Sequence, residues 1–288
     1  MVKSITFTNI MLRIILTIVG VLVVSILLYP VVYAFLMSIM GREGIFLTSL
    51  NQLATYGIDP WRYLDVIRDP EFVKSLTTSI IVALLTILVS VLVITPAAYG
   101  FSRFRFWGRD SLLYVYLIMS QVGGGFGIMA TVALYIFLLR LNAMGVPVLG
   151  NMFILPVIYS SGLVPFMTWL LKTFFDSLPK ELDEAAFMDG ASWSTIVFRV
   201  ILPASKSALI IITLFSFMSA WGEFILANFL GVSTLAQYIF YTAFGARGLE
   251  LPARFAANAI LFAIPTIVIY VVAQRYIGEA MRMGAVRG

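Results

Sequence analysis

The sequence predicts an all-α polytopic membrane protein, with six transmembrane helices and a helix-bend-helix loop on the cytoplasmic side between the fourth and fifth. Three observations predict it. Of the 288 residues, 61% are hydrophobic and 11% charged, where a soluble domain is about half apolar and a quarter charged. The apolar residues gather in long runs, and roughly 20 residues of helix cross a bilayer core of about 30 Å. A polar stretch at 175–206, rich in helix-start and helix-stop residues, separates two of those runs.

The first run, Ile10 to about Met40, follows Lys3 and is interrupted only by Arg13. It is far longer than the roughly 7–15 apolar residues of a secretory signal, so it reads as an uncleaved span. Pro30 is expected to kink it. Residues 41–71 turn polar, with Arg42, Glu43, Asp59, Arg62, Asp65, Arg68 and Asp69, and form the long extracytoplasmic loop. A second span covers about Phe72 to Tyr99. The turn after it, with Arg103, Arg105 and Arg109 among Phe104, Phe106 and Trp107, reads as an interfacial anchor, rings at headgroup level and guanidinium groups toward anionic lipid. The third span, about Ser111 to Leu139, contains Gly123-Gly124-Gly125, which makes it irregular or lets another helix approach closely. The fourth runs from about Asn151 to Phe174, the fifth from about Ala208 to Leu230 and the sixth from about Ala256 to Tyr276, leaving a tail at 277–288.

Residues 1–288 thus read as a single transmembrane domain with both termini on one side. Placing the termini in the cytoplasm puts twelve of the 19 Lys and Arg inside and seven outside, the bias the positive-inside rule expects. The formal charge of +5 therefore reports topology, and no nucleic-acid partner is expected.

Cys and His are both absent. Thiolate chemistry, the commonest general base and the commonest metal ligand go with them, so neither catalytic residues nor a metal site are expected. None of Lys3, Lys74, Lys172, Lys180 or Lys206 stands in a G-x-x-x-x-G-K-S/T frame, so the chain carries no P-loop to hold ATP.

Within 175–206, Pro179 suits a first helical turn, and Glu181, Asp183 and Glu184 lie where a helix N-terminus favours negative charge. Gly190 fits the position just past a helix end, and Ser192 can cap a second helix. That helix would bury Trp193, Ile196, Val197, Val200 and Ile201 and stop at Pro203.

The spacing carries more than a helix pair. Glu184-Ala185-Ala186 is followed by three residues, Gly190, nine residues, then Val200-Ile201-Leu202-Pro203. This resembles the EAA loop of binding-protein-dependent ATP-binding-cassette permeases, with Val200 replacing Ile. Ala98-Tyr99-Gly100-Phe101-Ser102-Arg103-Phe104 with Phe106, Gly108 and Arg109, then Trp221-Gly222-Glu223-Phe224, and the ending Gly284-Ala285-Val286-Arg287-Gly288 are similar to the maltose-type, carbohydrate-uptake branch. Gln121 beside the triple glycine departs from it.

The resemblance implies a permease subunit of an ATP-driven sugar importer in a prokaryotic cell membrane. It implies a second permease, in a heterodimer, two ATP-binding-cassette ATPase subunits and an extracytoplasmic solute-binding protein. No cofactor is expected on this chain, since ATP and Mg would sit on the ATPase subunits. Glu184, Ala185, Ala186, Asp189, Gly190, Val200, Leu202 and Pro203 would form the ATPase-coupling element. There Ala185 and Ala186 would admit a close partner surface, and Glu184 would pair with a cationic or amide group.

The residues themselves mark candidates for the substrate path. Glu223 is the one acidic side chain expected well inside a span, where ionisable groups are costly and usually functional; it either lines the path or pairs with a neighbouring helix or the partner subunit. Gln121, Tyr159, Trp221 and Asn228 could hydrogen-bond or stack on a sugar, or equally serve interhelix packing. An ion-coupled secondary transporter of a small polar solute is the alternative function, and it would need no ATPase.

Overall fold

The computed structural model describes residues 7–125, 127–245, 248–249 and 251–285. Their regular secondary structure is helical apart from a two-residue antiparallel ladder, Phe244–Gly245 with Gly248–Leu249, and one isolated bridge between Met40 and Ile58. They form two compact units, one holding the described residues up to Asp69 with Ile239–Ala263, the other Pro70–Tyr238 with Ile264 onward.

In the first unit, α1 (Phe7–Ser38) carries Pro30 within it and exposes its apolar side chains from Met11 to Val32. A surface so continuously apolar is at home against lipid or another helix, not in water. The segment expected as a loop after α1 is folded, with α2 (Asn51–Tyr56) and α3 (Arg62–Arg68). One of its charges turns inward. Arg62, almost fully buried, donates to the Ser38 carbonyl at 2.7 Å and to Glu43 Oε1 at 3.1 Å, and faces Asp59 Oδ2 at 3.4 Å. The planar guanidinium fork supplies enough donors to pin several strands of chain at once. Met37 and Met40 pack with Leu47, Ala253 and Ala256 beneath it.

In the second unit, α4 (Pro70–Arg103) packs along α7 (Ile154–Ser177), and α11 (Lys206–Trp221) lies against both. Where lipid replaces water, small residues and short hydroxyls hold helices together. Here Ser90 donates to Ser160 Oγ at 3.1 Å, and Ser160 to the Thr86 carbonyl at 3.2 Å.

Among the described residues, four helices are long and apolar enough to cross a membrane: Met11–Ser38, Pro70–Arg103, Ile154–Ser177 and Pro252–Tyr276. A fifth crossing arises if Trp193–Ala204 and Lys206–Trp221, bent by 92°, make one span. The expected third span is instead two helices, α5 (Arg109–Gly125) and α6 (Ile128–Ala143), 17 and 16 residues long. Each is shorter than the roughly 20 residues of a full crossing. The break follows the triple glycine and includes Gly127, at φ 49° and ψ −125°, a conformation open only to glycine.

The expected fifth span also divides, into α11 and α12 (Ile225–Phe229), with 222–224 between them. After α13 (Leu235–Ala243), α14 runs from Pro252 to Ala285, so the expected tail from 277 is helical through Ala285. Of the Gly284 to Gly288 ending, residues 286–288 lie outside the described residues, as do Lys3 and Arg247.

The loop at 175–206 is α8 (Glu181–Met188), a turn at Asp189-Gly190, α9 (Trp193–Thr195), a π-helical stretch Ile196–Ile201 and α10 (Leu202–Ala204). The helix thus passes Pro203, where the sequence expects it to stop, and breaks at Ser205. A π turn ahead of a proline gives its ring room that an α turn denies, and moves the missing donor out of the α ladder.

Candidate functional site

The loop's first bend is built as the sequence implies. Gly190 sits at φ 76°, with its N–H on the Phe187 carbonyl at 2.9 Å and the Ala191 N–H on the Ala186 carbonyl at 3.0 Å. This is a Schellman closure, which satisfies carbonyls that the end of α8 leaves open. Ser192 then caps α9, its hydroxyl accepting from the Thr195 N–H at 3.4 Å. The capping is weak at that length, and the Ser192 hydroxyl also bonds the Ser194 and Thr195 hydroxyls at 3.1 and 3.0 Å.

The two faces of α8 differ. Glu184, Ala185, Phe187, Met188 and Asp189 are exposed, and Met188 is 89% exposed. Ala186 and Asp183 face inward. Ala186 joins a core with Ile196, Val197, Leu171 and Phe175, so its small side chain packs within this chain. Leu202 is buried, Val200 half-buried and Pro203 exposed.

Asp183 is held by the end of α4. Arg103 Nε lies 2.9 Å from Asp183 Oδ2, and the Tyr99 hydroxyl donates to Asp183 Oδ1 at 2.8 Å. The Arg103 and Asp183 side chains are 8% and 10% exposed. A buried charge of this kind persists only when paired and hydrogen-bonded. The sequence reads Arg103 as an interfacial anchor; the structure gives it to Asp183, while Arg105 and Trp107 stay exposed.

The adjoining contacts follow the same pattern. Arg103 Nη2 reaches the Leu178 carbonyl at 3.3 Å, and Ser102 donates to Asp176 Oδ1 at 2.6 Å, with Lys172 on the other oxygen at 2.6 Å. Trp193 lies edge-on to Phe187 at 4.4 Å, to Phe104 at 5.2 Å and to Tyr99 at 6.1 Å. Such ring pairs contribute about 0.5–1.5 kcal/mol each beyond the area they bury.

Sequence reasoning missed Tyr99, Ser102, Arg103, Asp176 and Asp183 as a group. One signal was present: Tyr99 and Arg103 are four apart, so they share a helix face. Asp183 gave none, because an acidic residue in a first helical turn already has an explanation.

Of the path candidates, Tyr159 and Glu223 come together. The Tyr159 hydroxyl donates to Glu223 Oε2 at 2.5 Å, and the same carboxylate accepts the Leu226 and Ala227 N–H groups at 2.7 and 3.1 Å. Glu223 thereby caps α12 and joins it to α7. Trp221, almost fully buried, stacks on Phe217 at 5.1 Å, and Asn228 accepts from Gln237 Nε2 at 3.0 Å. Gln121 is exposed on α5, apart from that pair. Among the described residues no group of His, Cys, Asp or Glu is placed to hold a metal ion.

The long apolar helices, with the two-armed polar loop between two of them, define a polytopic membrane protein. The chain belongs to the family of binding-protein-dependent transport system inner membrane components, whose model matches residues 94–283. It is 32% identical over 218 residues to the maltodextrin transport system permease protein MdxG of Bacillus subtilis, covering 74% of each chain. It is 31% identical over 222 residues to the galactooligosaccharides transport system permease protein GanQ of the same organism, covering 76% of this chain and 75% of that one. The trehalose/maltose transport system permease protein MalG of Thermococcus litoralis is 30% identical over 283 residues, 96% of this chain and 97% of its own.

The fold is that of a bacterial ABC transporter involved in the import of the acidic polysaccharide alginate, at a TM-score of 0.72 and 23% identity over 94% of this chain and 98% of that one. The chain is a multi-pass membrane protein that works with a binding protein and an ATPase, and ATP hydrolysis takes place on separate subunits. The family carries no cofactor.

Proposed function

We propose that this chain is the permease subunit of an ATP-driven importer for a short oligosaccharide delivered by an extracytoplasmic binding protein. Relatives named for maltodextrin, galactooligosaccharide, trehalose/maltose and diacetylchitobiose uptake support that solute class.

In this reading the chain is one permease domain of six spans: α1, α4, α5 with α6, α7, α11 with α12, and α14. Both termini and the 175–206 loop face the cytoplasm, and residues 41–71 lie outside. A second, different permease completes the pathway, and two ATPase subunits drive it. The exposed side of α8, with Glu184, Ala185, Met188, Asp189 and Gly190, docks on the ATPase. Ala186, Val200, Leu202 and Pro203 shape the loop behind it. Gln121, Tyr159, Trp221, Glu223 and Asn228 border the solute path, with Tyr159 and Glu223 fixing α12.

The observation that carries this reading is the rigid two-armed loop, pinned on its inner face and open on its outer one. A body held so can pass a rotation to the helices behind it, as alternating access requires.

The test is uptake of radiolabelled maltodextrins and galactooligosaccharides into proteoliposomes. Accumulation is expected only when both permeases, the ATPase subunits, binding protein and ATP are present. Accumulation by the permeases alone along a proton or sodium gradient would instead establish the ion-coupled transporter.

A further inference from the structure

We propose that Asp183 is a positioning residue which, through Arg103 and Tyr99, fastens the ATPase-docking helix α8 to the last turn of α4. The second span is then driven directly by the ATPase, and not only α7 and α11, between which the loop is strung. This rests on the reading that α8 docks on the ATPase.

The covalent routes out of α8 both change direction before they reach a long helix. Toward α7 the chain passes through Leu178, extended at ψ 138°, and Pro179. Toward α11 it passes the Gly190 turn and then a 92° bend at Ser205. A contact that bridges those turns carries a displacement of α8 to another helix by a shorter route.

The last turn of α4 supplies the bridge. Tyr99 and Arg103 hold both oxygens of Asp183, at 2.8 and 2.9 Å, where all three side chains are sheltered from solvent. Shielded charge pairs resist separation far better than exposed ones. Arg103 also reaches the Leu178 carbonyl, and Ser102 the Asp176 carboxylate, so the end of α7 is gripped by the same turn. Phe104 and Tyr99 flank Trp193, the first residue of the loop's second arm. Both arms of the loop and the end of α7 therefore converge on Tyr99, Ser102, Arg103 and Phe104.

The charge pair also explains a local choice in the sequence. A carboxylate in the first turn of α8 needs no partner for helix stability, and Glu181 and Glu184 are exposed there. Asp183 alone of the three is buried. Its burial costs energy that a solvent-facing acid would avoid, and the arrangement is understandable as a mechanical tie.

The experiment measures ATP hydrolysed per sugar imported, in proteoliposomes holding the whole transporter, binding protein and the mixed oligosaccharide pool. Asp183→Asn and Arg103→Gln are compared with wild type at equal amounts of assembled complex. A loss of folding lowers hydrolysis and import together and leaves the ratio unchanged; a loosened tie leaves hydrolysis running and raises the ratio, here by about tenfold, within the usual range of coupling effects. If either variant fails to assemble, Tyr99→Phe, which keeps the ring and loses only the hydroxyl, carries the test and should raise the ratio severalfold. An unchanged ratio in the variants that assemble overturns the proposal.

Gly190→Asp separates this from the docking reading. If Gly190→Asp abolishes ATP-coupled import while Asp183→Asn keeps the wild-type ratio, the tie alone is wrong. If Gly190→Asp imports normally, the docking reading falls first.

Discussion

Glu223 illustrates how a single side chain can be found by sequence and yet have its surroundings hidden. An isolated acid in an apolar run is visible in the primary structure. That it sits at a helix break, accepting from Tyr159 and two backbone N–H groups, depends on α7, which is more than sixty residues away. Glu223→Gln would turn an amide NH2 or leave a single oxygen toward three donors. It is expected to destabilise the folded chain by about 1–3 kcal/mol, and Tyr159→Phe by about 1 kcal/mol. Thermal unfolding of the solubilised transporter measures both, and equal stability of Glu223→Gln and wild type would show that the carboxylate is not the cap of α12. Gly190 and Ser192 were legible for the opposite reason, since a Schellman glycine and an N-cap serine act on backbone within a few residues. Asp183 was not, because its partners come from α4.

At the level of elements, the long apolar helices α1, α4, α7 and α14 follow from composition and length, and the sequence places each of their apolar runs within a few residues. The interruptions are harder. The triple glycine marks an irregular third span, but not that it separates two helices. The π stretch at Ile196–Ile201, packed on α8 just ahead of Pro203, does not show in the spacing of apolar residues. The polar segment after α1 reads as a loop because its charges look solvated, whereas Arg62 is buried and gathers two partly exposed carboxylates and a carbonyl around its guanidinium. The α5–α6 break carries its own prediction. Gly127→Val places a β-branched residue where φ 49° and ψ −125° exclude it, although no atom lies within 4 Å of the added Cβ. The cost is therefore backbone strain, about 1–3 kcal/mol, expected as a lower unfolding temperature and a lower yield of folded protein. A Gly127→Val chain as stable as wild type would mean that the break does not need this conformation.

For the molecule as a whole, the central claim is that the outer face of α8 lies in the cytoplasm and is covered by an ATPase. The natural absence of cysteine makes that claim directly measurable. Met188, the most exposed apolar side chain of the loop, is the place to put a single thiol. Met188→Cys is assembled with the second permease, and a membrane-impermeant maleimide is applied to inside-out and right-side-out vesicles, with and without the ATPase subunits. The account predicts labelling only in inside-out vesicles, and its suppression once the ATPase is bound; labelling from the outer side, or labelling that the ATPase leaves unchanged, would contradict it.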